Sequence, residues 1–150
     1  EYTVTFVANG QTVTRKALFD WSKEDNERIR YYSGTAIYKT TFPWKYKEQK
    51  DRQVYLHLGT VYNLATVRVN GIDCGTVWTA HYRADITAAL KKGTNELEIE
   101  VTNTWANALK GTDEGKAPFE GIWTNAKYRK QENTLLPGGL LGPLYLEQSN

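Results

Sequence analysis

Apolar residues recur at every second position along much of this chain, a period that belongs to extended strands with one buried face rather than to amphipathic helices. Tyr2, Val4, Phe6 and Ala8 share one face of the first segment, with Thr3 and Thr5 on the other; Asn9-Gly10 follows, then Gln11 to Arg15. Asn and Gly tolerate positive φ, so the pair predicts a hairpin with a type I′ turn. The pattern returns at Val54, Leu56 and Leu58, at Ala65, Val67 and Val69 ahead of a second pair, Asn70-Gly71, and at Leu97, Ile99 and Val101. Ala36 to Phe42 also reads as a strand. Leu144-Tyr145-Leu146 reads as a closing strand after a Gly- and Pro-rich loop at 136–143.

Helical signals are few. Ser22 with Asp25 imitates a capping box for a short turn through Glu27, and Asp85 to Lys92 has room for a single turn ended by Gly93. Neither is long enough to cover a sheet. Short strands separated by turns, without βαβ alternation, predict an all-β fold: an antiparallel β-sandwich of jelly-roll type. At 150 residues the chain has the length of one domain, 1–150. It contains no Met, not even at position 1, as expected of a mature product or of a piece cut from a longer polypeptide.

Charge excludes two classes of partner. Lys and Arg number 19 against 17 Asp and Glu, evenly spread, which argues against nucleic acid and against a membrane surface. No apolar run approaches the roughly 20 residues of a membrane helix. The lone Cys74 excludes an internal disulfide framework and a Cys-rich zinc site.

Catalytic constellations are equally scarce. Cys74 could in principle pair with His57 or His81, but nothing around it marks an activated thiol, and a lone Cys packs as a small hydrophobe by default. Glu96, Glu98 and Glu100 alternate with Leu97, Ile99 and Val101, so they read as the solvated face of a strand and not as a carboxylate cluster. Lys45, Lys47 and Lys50 are diluted by Glu48 and Asp51, and Lys127, Arg129 and Lys130 by Glu132, as expected of groups that confer solubility. No catalytic residue is assigned.

The aromatic residues are more informative. Trp78, Tyr82, Trp105 and Trp123 fall at the ends of expected strands or in the loops that follow, interleaved with His81, Arg83, Asn103 and Asn107. Sugars present apolar C–H faces and a rim of hydroxyls, which a flat ring beside amide, imidazole or guanidinium groups suits. Trp78, His81, Tyr82, Trp105, Asn107 and Trp123 are therefore the candidate carbohydrate-binding residues. The competing reading has the same rings plugging the open ends of a sandwich core.

Several segments taken in order resemble a known family. Tyr32 to Phe42, then Val67-Arg68-Val69-Asn70-Gly71, Gly75, Trp78, Tyr82, Asp85-Ile86 and Gly93-Thr94-Asn95-Glu96-Leu97 are similar to the galactose-binding-like sugar-binding domain of glycoside hydrolase family 2. Asn103 to Gly111, followed by 136–143, resembles the C-terminal module of the family 106 α-L-rhamnosidases. The chain departs from that pattern at His81, Ala108 and Thr112, where Pro, Arg and Asp are expected.

The resemblance implies a non-catalytic β-sandwich accessory domain of a secreted or periplasmic bacterial polysaccharide-degrading enzyme. Its partners would be carbohydrate and the catalytic domain of the same polypeptide, which would hold the acid and nucleophile carboxylates. A purely structural packing role is the alternative. No cofactor is expected; such sandwiches often hold a structural calcium ion, for which Asp20, Asp25 and Glu147 are individually suitable without forming a calcium loop. The 16-residue loop at 106–121 is expected to meet any ligand or partner together with the Trp78 to Tyr82 turn.

Overall fold

A computed structural model of the chain describes residues 1–47, 52–78, 82–104, 107, 109 and 135–149. Eleven strands are described: β1 (Tyr2–Phe6), β2 (Gln11–Arg15), β3 (Thr35–Trp44), β4 (Gln53–His57), β5 (Thr60–Tyr62), β6 (Leu64–Val69), β7 (Ile72–Val77), β8 (Arg83–Asp85), β9 (Gly93–Thr102), β10 (Gly139–Gly142) and β11 (Tyr145–Ser149). A six-stranded sheet runs in the order β2-β1-β3-β9-β6-β7, and two smaller sheets run β11-β4-β8 and β10-β5. Every pairing between these strands is antiparallel, and the architecture is the all-β sandwich that the alternation requires.

The core lies where the alternation placed it. Val4 and Phe6 of β1, Ala36 and Tyr38 of β3, Ala65, Val67 and Val69 of β6, and Leu97, Ile99 and Val101 of β9 face inward from the large sheet. Val54, Leu56, Val61, Ala84 and Leu140 close on them from the small sheets in one cluster. Each fully buried Val, Leu or Ile contributes about 1.5–3 kcal/mol from lost apolar hydration. Glu98 and Glu100 point outward, where Arg68 lies 3.3 and 3.0 Å away.

The two Asn-Gly pairs behave differently. Asn70 and Gly71 have φ of 52° and 79°, and Val69 pairs with Ile72, as a two-residue type I′ turn demands. At the first hairpin the pairing ends at Phe6 and Gln11, leaving a four-residue connection, and Asn9 keeps a negative φ. The reason is long-range: the Val7 amide donates to the Thr35 carbonyl at 3.0 Å and the Ala8 amide to the Tyr32 hydroxyl at 3.2 Å, which draws both out of the hairpin ladder.

Two other expectations are corrected. Ser22 caps nothing; Asp20 caps the 3-10 turn Trp21–Lys23 by accepting from the Ser22 amide, and Asn26 caps the helix α1 (Glu27–Arg30) by accepting from Arg28. The stretch 136–143 contains β10. Its glycines allow close approach of backbone, since a side chain on Gly59 would collide with the Gly142 carbonyl. The turn expected between Asp85 and Lys92 is a 3-10 turn at Thr87–Ala89.

The ends of the sandwich differ. At the Thr35 end of β3, the segments around Trp21, Tyr32 and Gly138 form a stopper. Phe6, Trp21 and Tyr32 meet edge to face at centroid separations of 4.9–5.6 Å, and Asp20 Oδ1 accepts the Gly138 amide at 3.0 Å. Asn103 ties β9 to this stopper, accepting from the Gly34 amide at 2.9 Å and donating to the Tyr32 carbonyl at 2.8 Å. Among the described residues no such stopper covers the Trp44 end. Among the described residues no helix is long and apolar enough to cross a membrane.

Candidate functional site

Strand register gathers the described candidates at the Thr35 end. Val77 pairs with Ala65 and Leu64 pairs with Thr102, so Trp78 leaves β7 beside the start of β6. Trp78 is 67% exposed, the most exposed of the large hydrophobic residues among those described. Tyr82 is half-buried against the core, and its carbonyl accepts the Leu58 amide at 2.8 Å, anchoring the start of β8 to the end of β4.

Asn107 has a different character. It is 3% exposed; its Nδ2 donates to the Leu136 carbonyl at 2.6 Å and its Oδ1 accepts the Leu136 amide at 2.8 Å. The amide thus clamps the segment that leads into β10. His81, Trp105 and Trp123, most of the 106–121 loop, and Ala108 and Thr112 lie outside the described residues.

Groups considered for chemistry are otherwise engaged. Burial pushes the Cys74 thiol above its usual range, with Asp73 and Asp85 adding to the effect. The thiolate needed for nucleophilic attack is therefore disfavoured. Cys74 lines the open end with Gln53, whereas His57 stands four residues further along β4, roughly 13 Å at 3.3 Å per residue. His57 pairs with Glu147 and stacks on Tyr145 at 4.4 Å, on the outward face of the small sheet. Asp20 caps Trp21–Lys23, and among the described residues no group of three or more His, Cys, Asp or Glu converges as a metal site.

The open Trp44 end holds a groove that the sequence did not reveal. It encloses about 1050 Å³ between the ends of β3, β8 and β11 and the starts of β4 and β7, with Trp44, Tyr46, Asp73, Asp85, Lys91 and Lys92 among its walls. Trp44 and Tyr46 meet edge to face at 5.4 Å. Their presence in a run of aromatic residues at a strand end was the available signal, obscured by the neighbouring lysines.

Comparison with known proteins agrees with this architecture. The family described as glycosyl hydrolase 2 galactose-binding domain-like matches residues 10–135. A putative beta-glucuronidase of Formosa agariphila is 36% identical over 85% of the chain, which corresponds to 13% of that protein. The solved structure of a rhamnosidase from Novosphingobium sp. PP1Y superposes with a TM-score of 0.87 at 37% identity, covering 99% of this chain and 14% of the other. A beta-D-glucuronidase of Dictyoglomus thermophilum superposes at 0.54 with 25% identity, over 70% of this chain and 19% of that one. The chain thus spans about one-seventh of the first two relatives, and it belongs to the galactose-binding-like domain family of the glycoside hydrolases.

Proposed function

We propose that this chain is a non-catalytic accessory domain of a larger glycoside hydrolase and that it contacts carbohydrate at the Thr35 end of the sandwich. The observation that carries the proposal is Trp78, two-thirds exposed immediately after the edge strand β7, whose last residue, Val77, is paired with Ala65 of β6. An indole in that position stacks on the C–H face of a sugar ring at little ordering cost, because the backbone beneath it is already fixed. The catalytic carboxylates belong, in this reading, to another domain of the same polypeptide. The enzyme works outside the cytoplasm, secreted or periplasmic, where polysaccharide is met.

Calorimetric titration of the 150-residue chain with rhamnose, galactose and pectic oligosaccharides tests this. Millimolar or tighter binding that Trp78→Ala abolishes, with the melting temperature retained, is the expected result. Absence of binding to all of them overturns it. Turnover of nitrophenyl glycosides that disappears on changing one carboxylate would overturn the non-catalytic assignment.

A second reading has its own support. Asn107 turns its amide to Leu136, which suits a structural module whose surface at this end packs on a neighbouring domain. Trp78 would then be the apolar contact of that interface.

A further inference from the structure

The groove at the Trp44 end combines three features. The first is an aromatic corner: Trp44, half-buried, and Tyr46, 38% exposed, stand at an interplanar angle of 70° and offer two ring surfaces at right angles. The second is charge. Lys47, Arg52, Lys91 and Lys92 line the groove, and none of them has an ion-pair partner among the described residues, whereas Arg15, Lys39 and Arg68 all do.

Asp73 and Asp85 also line it, so the lining carries four cations and two carboxylates, a surplus of two positive charges. Each carboxylate has one oxygen already in use. Asp73 Oδ1 accepts the Gly75 amide at 2.7 Å, and Asp85 Oδ1 accepts the Thr87 amide at 3.0 Å and its hydroxyl at 2.5 Å. The remaining oxygens can accept from ligand hydroxyls, and Gln53, Thr87 and Gln148 add neutral polar groups. The cationic surplus favours an anionic ligand, and the two carboxylates favour one that also offers hydroxyl donors.

The third feature is rigidity. Asn95 is fully buried, accepts the Lys91 amide at 2.9 Å, and donates to the Lys91 carbonyl at 2.9 Å and the Gly93 carbonyl at 3.2 Å. Asn70 Nδ2 donates to Asn95 Oδ1 at 2.9 Å and to the Ala89 carbonyl at 2.8 Å. The turn that presents Lys91 and Lys92 is therefore preorganised, which lowers the ordering cost of binding. At about 1050 Å³ the groove reaches the upper end of small-molecule sites and has room for more than one sugar ring.

From these features we infer that the Trp44 groove is a second saccharide site, for an oligosaccharide that carries anionic groups, carboxylate or sulfate, on a hydroxyl-rich chain. It borrows only the ligand class from the accessory-domain reading, and its residues are separate from Trp78.

Titration with tetragalacturonate, its fully methyl-esterified form and a sulfated carrageenan tetrasaccharide tests the site. Binding of one or both anionic probes is expected, with at least tenfold weakening by the double variant Lys91→Gln/Lys92→Gln and by Tyr46→Ala, and further weakening as salt is raised. The anion that binds names the group recognised. Failure of both anionic probes, binding of the methyl ester as tight as that of the acid, or indifference to the three substitutions overturns the inference. Methyl esterification changes no residue of the protein, so that comparison stands even if a variant folds poorly. The neutral sugars tested against Trp78→Ala report on the other end, so the two proposals fail separately.

Discussion

The indole N–H of Trp21 donates to the phenol oxygen of Tyr38 across 2.8 Å, and the same oxygen accepts the Leu140 amide at 3.1 Å. One hydroxyl thus satisfies a donor from the stopper and a donor from β10, both inside the core. Tyr38→Phe leaves both donors unpaired, at about 1–3 kcal/mol for each buried group, and is expected to lower the unfolding free energy by about 2–4 kcal/mol in urea titration. A loss near zero would show that the two donors find other acceptors.

The same phenol predicts an alkaline transition. Burial, ahead of all other causes, pushes the Tyr38 hydroxyl up to about 12, from 10 in the unfolded chain. The folded state therefore holds this proton more tightly than the unfolded state does. The associated stability is complete below pH 10 and is lost as pH rises through about 12. Tyr38→Phe should flatten the fall in melting temperature between those values; an unchanged slope would assign the fall to other groups.

Gly139 lies under the same pair. It adopts a φ of 91°, and a Cβ there would meet Trp21 Nε1 and lie 2.6 Å from its Cε2 and 2.8 Å from the Tyr38 hydroxyl. Gly71, with a φ of 79°, faces open space. Both substitutions to Ala strain the backbone, but only Gly139→Ala also displaces core rings. Expected losses are about 1 kcal/mol at Gly71 and about 3 kcal/mol or more at Gly139. Equal losses in thermal unfolding would contradict the packing around Trp21.

Asn95→Ala removes the acceptor of the Lys91 amide and the donor to the Lys91 and Gly93 carbonyls together. A cost of about 3 kcal/mol is expected, or roughly 10 °C in melting temperature for a chain of this size. Hydrogen exchange should quicken at Lys91 in the variant. Protection unchanged at that amide would refute the role given to Asn95.

Cys74 should alkylate slowly. Since burial raises its thiol above the usual range, its reaction with iodoacetamide at pH 8 is expected to lag behind that of a cysteine in a short unstructured peptide, and to gain on it as pH rises. Parity at pH 8 would indicate an accessible thiolate.

Much of this architecture is legible in the sequence wherever local pattern and burial act together. Ala65, Val67 and Val69 alternate with polar residues and end at Asn70-Gly71, so strand, face and turn all follow from one short stretch. The first hairpin is not legible in the same way, because its turn is set by Thr35 and Tyr32, more than twenty residues away. β10 is hidden because glycine serves there for close backbone approach rather than for turning. Among the candidate site residues, the exposure of Trp78 suits its place at a strand end, while the clamp between Asn107 and Leu136 depends on a partner 29 residues distant. The Trp44 groove is assembled from segments spread from residue 44 to residue 149, and no local window contains enough of it to be recognised.

β3 and β9 are each ten residues long and run the length of the large sheet, which separates the Thr35 and Trp44 ends by roughly 30 Å at 3.3 Å per residue. That distance is several times the screening length of about 8 Å at physiological ionic strength. A charge bound at one mouth is electrically silent at the other, and a bulky partner seated on one leaves the other uncrowded. The two ends are thereby independent faces, joined only through the strands that span the sheet between them.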